Sequence, residues 1–149
     1  LDIDGNVEAA CIQNHGMLGV TGEVCSEKFN SSGGFEIGGL LNADRTQIVI
    51  YGPCSAKELG GEDIDIRVGS SSGLREFIGS FFSGWPLKTS FTTDIIEGDH
   101  IYLENTVAKV VRGHDVEIGR GCKIDVVEYK NTFQKDDDPT IKINESKKI

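Results

Sequence analysis

The sequence is poor in proline, with three residues, and carries a single methionine and a single tryptophan. It has no run of the ~18 consecutive apolar residues that a membrane-crossing helix needs. Basic charge is in deficit: 15 Lys+Arg stand against 24 Asp+Glu, a formal net charge of −9. That balance argues against nucleic acid, whose affinity rests on Lys and Arg meeting phosphates, and against electrostatic docking on anionic lipid. The chain opens without a basic stretch leading into an apolar one, so no secretory leader is read there. It begins at Leu1 rather than Met, as a fragment does after an upstream targeting segment is cut away. The four cysteines, Cys11, Cys25, Cys54 and Cys122, form no C-x-x-C pair. Zinc-knuckle and thioredoxin-like chemistry are thereby unsupported. The expectation is four small buried thiols in a reducing, cytoplasmic compartment.

Glycine, by contrast, is abundant at 19 residues, and it recurs in phase. Laying 1–17 over 18–34 and 35–51 puts Leu1 on Leu18 and Phe35, and Ile3 on Val20 and Ile37. Gly5 falls on Gly22 and Gly39, and Val7 on Val24 and Leu41. A degraded fourth copy starts near Cys54, with Ala56 and Leu59. Further on, Gly98-x-x-Ile101-x-Leu103 returns as Gly113-x-x-Val116-x-Ile118, a step of 15; Ile96 to Val111 gives the same step, and so does Val111 to Val126. The same phrase at Gly61, Ile64 and Ile66 lies 37 residues before Gly98, which is 15 plus an excess of 22. The compositionally distinct segment 69–90 has that length and reads as an insertion.

Alternating apolar residues indicate strands with one buried face. A unit of 15–17 residues is too short for a propeller blade or a helical hairpin, and residues 1–68 show no 3.6-residue stripe. The unit fits one rung of a parallel β-solenoid. The expected fold is therefore all-β, a right-handed parallel β-helix spanning 1–133 with one insertion. Its inward ladders are expected to be Leu1, Ile3, Val7, Ile12, Leu18, Val20, Val24, Phe29, Phe35, Ile37, Leu41, Ile48 and Ile50, then Ile64, Ile66, Ile101, Leu103, Val107, Val116, Ile118 and Ile124. Each large side chain buried is worth ~1.5–3 kcal/mol. After Phe133 the composition turns charged, and 134–149 reads as a solvated cap or frayed tail.

Within 69–90, Leu74, Phe77, Ile78, Phe81 and Trp85 follow helical spacing, with Phe82 beside them and Pro86 as a stop. Two readings stand: packing on the solenoid flank, or an aromatic handle (Phe77, Ile78, Phe81, Phe82, Trp85) for a partner or a membrane surface. His15, His100 and His114 read as solvent-facing corner residues. Asp136-Asp137-Asp138 lacks calcium-loop spacing, and no nucleotide loop is present. No catalytic residue, cofactor or metal is expected.

The stretch Glu97-Gly98-Asp99-His100-Ile101-Tyr102-Leu103-Glu104-Asn105-Thr106, followed by Ala108-Lys109-Val110-Val111-Arg112-Gly113, resembles the C-terminal half of bactofilin-like polymer-forming cytoskeletal proteins. Ile118-Gly119 to Cys122, Val127-Glu128-Tyr129 and the closing Lys147-Lys148-Ile149 resemble the variant of Gram-positive spore-formers, as do Gly39-Leu40-Leu41-Asn42-Ala43 and Cys54-Ser55-Ala56-Lys57-Glu58. The resemblance implies a non-enzymatic scaffold that assembles end to end without nucleotide, in the cytoplasm and often at the inner face of the membrane. The rungs beginning at Leu1 and Ile3 and ending at Tyr129 and Phe133 are the expected self-association surfaces. The alternative is a small β-helix enzyme of the hexapeptide acyltransferase type, for which Ile118-Gly119 and Ile124-Asp125 supply one hexad.

Overall fold

The computed structural model describes residues 1–69 and 89–149. These residues form strands β1 (Asp2–Ile3), β2 (Val7–Asn14), β3 (Met17–Val20), β4 (Val24–Ser31), β5 (Gly34–Ile50), β6 (Cys54–Gly60), β7 (Asp63–Val68), β8 (Phe91–Leu103), β9 (Thr106–Ile118), β10 (Lys123–Lys135) and β11 (Lys142–Lys148). Every pairing is parallel, and the chain winds into a β-solenoid of about 8 turns. The long strands bend twice, so each turn has three faces. In β8 these are 91–93, 95–98 and 100–103, all stacked on β9.

The registers reproduce the repeat. Val7 lies beside Val24, and Val24 beside Leu41, a step of 17. Cys54, Ala56 and Leu59 stack on Phe35, Ile37 and Leu41, so the degraded fourth copy is a full turn, at steps of 18 and 19. Ile96 meets Val111 and Ile101 meets Val116, a step of 15. Val111, however, meets Val127 rather than Val126. The corner from Gly119 to Cys122 holds one residue more than the step of 15 provides, and Val126 turns outward.

The offset of 37 holds across all three faces of the turn before the insertion. Cys54 pairs with Phe91, Leu59 with Ile96, and Ile64 with Ile101. The ladder is therefore continuous from the turn that ends at Gly69 to the turn that resumes at Thr89. Equivalent corners need only Tyr51–Pro53 or Glu104–Asn105. Replacing 70–88 by a Gly/Ser link of ~3 residues, a usual loop length, should leave the circular dichroism of the strands intact. Loss of that spectrum would mean the segment belongs to the core.

Inside, aliphatic ladders run along the stack. Phe35 packs edge-on to Phe29 at 5.3 Å between centroids and reaches Phe91 at 6.0 Å. The residue stacked between Phe35 and Phe91 is Cys54, small enough to leave the two rings room. At Gly61 an added Cβ would run into the Ala43 carbonyl of the turn beneath, so glycine is required for the close approach.

Three expectations are corrected, and the two readings of the tail are resolved in favour of the cap. Leu1 is 81% exposed, because no other described residues stack beneath it. Val107 faces water, because Thr106 takes the inward position and satisfies its hydroxyl by donating to the Glu104 carbonyl at 3.0 Å. Cys54 and Cys122 are buried free thiols, but Cys11 and Cys25 are exposed; each neighbours an inward residue, Ile12 and Val24, and alternation turns it out. The charged tail is not frayed: Lys142–Lys148 stack on Lys123–Tyr129 as a last partial turn, with Ile141 and Ile143 packed against the core. Most of its other side chains are exposed, as befits a polar terminal cap.

Candidate self-association surfaces

The two ends of the stack differ. At the first turn, Ile3, Val7 and Ile12 are half-buried, and with Leu1, Leu18 and Val20 they line a recess of about 190 Å3 that opens outward. The edges of β1 and β2 have no partner on that side among the described residues. Here apolar ladders and unpaired backbone groups both run out, the combination that solenoids ordinarily cap or pair. The Leu1 amino group donates to the Met17 carbonyl at 2.8 Å, fixing the start of the chain against the second turn.

At the far end, β11 covers Lys123–Tyr129. The Ile149 N–H donates to the Tyr129 carbonyl at 2.9 Å. Tyr129 stacks on Phe133 at 5.5 Å, and both rings are half-buried. Of the two, Tyr129 is thus occupied by the cap, while the backbone edge at Thr132–Lys135 has no partner among the described residues. The cap is held electrostatically as well. Arg112 donates to Glu128 at 2.8 Å and to Glu97 at 3.5 Å, and Lys147 lies 3.6 Å from Glu128. The guanidinium of Arg112 is the main reason the Glu128 carboxyl titrates below its usual range.

The third face carries a shallow groove of about 410 Å3 between its outward columns, including Asp63, His100 and Asp115 in one and Asp65, Tyr102 and Glu117 in the other. His100 lies 3.2 Å from Asp115, which also accepts from Asn131 at 2.8 Å and Thr132 at 2.7 Å; those donors hold its carboxyl below the usual range. Tyr102 donates to Glu104 at 2.8 Å under the guanidinium of Arg67, and burial, with Glu104 beside it, pushes the phenol up to about 12. His100 and His114 are largely exposed, and His15 bonds Ser32 on the surface. The aromatic handle of Phe77, Ile78, Phe81, Phe82 and Trp85 lies outside the described residues. Among the described residues no helix is long and apolar enough to cross a membrane, and no group of His, Cys, Asp and Glu is placed to hold a metal.

No protein-family model matches the chain, and no solved structure matches it. Two curated relatives from Bacillus subtilis (strain 168) are similar to it. The uncharacterized protein YhbF is 38% identical over 112 residues, covering 74% of this chain and 42% of that protein. The uncharacterized protein YhbE is 36% identical over 117 residues, covering 76% of this chain and 45% of that protein. The chain thus spans less than half the length of each of these relatives.

Proposed function

We propose that this solenoid is a non-enzymatic, bactofilin-like scaffold that self-associates end to end, led by the turn containing Leu1 and Ile3. The observation that supports the reading is the apolar recess at the first turn, where half-buried Ile3, Val7 and Ile12 meet strand edges that have no partner among the described residues. Covering such a surface removes apolar area from water and satisfies backbone groups at once. At the opposite end the cap already occupies Tyr129, so Phe133 and the free edge beside it are the contributing part. Cytoplasmic placement, with contact to the inner membrane face or a membrane protein through 69–90, belongs to the same reading.

An apolar contact is not screened as ion pairs are, so assembly should persist at ~0.5 M salt, where the Debye length is only a few ångströms. Sedimentation and electron microscopy at that salt should show extended oligomers. Ile3→Arg should reduce them to monomers with strand content unchanged, and Phe133→Arg should act more weakly. A wild-type chain that stays monomeric there at high concentration would overturn the proposal.

A further inference from the structure

The first face of the solenoid has a charge order that no end-to-end contact uses. Its outward residues come from one position per turn, beginning at Asp2, Gly19, Glu36 and Ser55. It continues through Thr92, Val107, Lys123 and Lys142. The next outward column begins with Asp4 and Thr21, whose hydroxyl donates to Asp4 at 2.9 Å. It includes Lys57 and Asp94, then Lys109, 3.2 Å from Asp94. It closes with Asp125, which accepts from Asn144 at 3.2 Å.

In the first column acid is thus confined to the first three turns and lysine to the last three. The acidic half is also hollow. Gly19 and Gly38 put no side chain on the face, and a recess of about 540 Å3 lies there, rimmed by Asp2, Asp4 and Glu36. The lysine half stands proud, with Val107, Lys123 and Lys142 exposed. The middle is small and flat at Ser55 and Thr92.

We infer that this face binds a second copy of the chain side by side and antiparallel. A two-fold axis in the face, between the fourth and fifth turns, sets Asp2 against Lys142 of the second copy and Gly19 against its Lys123. Lys57 then meets Asp94 of the second copy, Glu36 meets its Val107, and Ser55 meets its Thr92. Each contact is made twice, which is the self-complementarity that a two-fold interface demands. A parallel two-fold would instead exchange the two columns, setting Asp2 against Asp4 and leaving Lys142 opposite Asn144.

Eight strands at ~4.8 Å by about four residues at ~3.3 Å give a footprint of roughly 500 Å2 per copy. That lies at the lower end of specific interfaces, so the dimer is weak and, being held by exposed ion pairs, salt-sensitive. It is independent of end-to-end assembly.

The test uses Ile3→Arg, which removes the end contact. Sedimentation velocity should show a dimer at ~0.02 M salt that dissociates by ~0.5 M. Asp2→Lys or Lys142→Asp alone should weaken it about tenfold, each loss being counted twice, and the two together should restore it. With Cys11 and Cys25 changed to Ser, a short bismaleimide should join Glu36→Cys chains to Val107→Cys chains in preference to joining either variant to itself, because like positions then lie three strands, ~14 Å, apart along the face. A monomer at low salt, a dimer indifferent to salt, a double variant that fails to recover, or cross-linking of like with like would each overturn the inference. None of those outcomes bears on the high-salt oligomers of the proposed function.

Discussion

Ile37→Asp is expected to unfold the protein. Ile37 is 2% exposed, stacked between Val20 on the turn before and Ala56 on the turn after. A carboxylate there has no cation within the ladder and loses its hydration. The cost of an unpaired buried charge, even after partial neutralisation, is several kcal/mol. Native domains hold only ~5–15 kcal/mol in total, so thermal melts should show no cooperative transition or one displaced by tens of degrees. His100→Ala is the control. That side chain is 67% exposed, and its loss should fall within about 0.5 kcal/mol, as surface changes do. Equal damage from the two variants would mean that the inward register is misassigned.

The second large effect is Phe35→Ala. The ring is 1% exposed and bridges two faces, contacting Phe29 edge-on and Phe91 along the stack. Truncation removes the transfer free energy of the ring and leaves a void bounded by rigid parallel strands. Such sites lose ~3–5 kcal/mol. The small residue at Cys54 cannot grow to fill the gap. Urea unfolding should show a lower midpoint at an unchanged slope, the mark of lost stability rather than a changed unfolded state. A change below ~1 kcal/mol would mean that the core closes over the missing ring, against the close packing of protein interiors.

The parts of the fold that could be read in the sequence are those where a turn repeats both its glycine and its alternation. Gly5, Gly22 and Gly39, with the flanking Val20 and Ile37, set the early register, and Ile64 and Ile101 carried it across the insertion. The last turn is only half legible, as a solvated cap or a frayed tail, because a terminal strand buries little: only Ile141 and Ile143 of its apolar residues pack inward. Val107 reads as inward along the chain but faces water, because a threonine can sit inside when its hydroxyl finds a carbonyl two residues back. Of the surfaces, Leu1 and Ile3 were legible as an apolar start, while the covering of Tyr129 by the cap was not. The charge order of the first face could not be seen along the chain. Asp2 and Lys142 lie 140 residues apart in sequence, and only stacking puts them in one column.

The burial of Cys54 and Cys122 has a chemical consequence. Each thiol sits against backbone carbonyls, and burial pushes its ionisation up to about 11, so little thiolate is available to an alkylating reagent while the turns are closed. The two lie in different parts of the stack, the fourth and the seventh turns. In a solenoid each turn leans only on its neighbours, and opening can begin at one end and stop partway. Alkylation rates at the two sulfurs are therefore two clocks on the same molecule, and the ratio between them tells which end of the stack unwinds first.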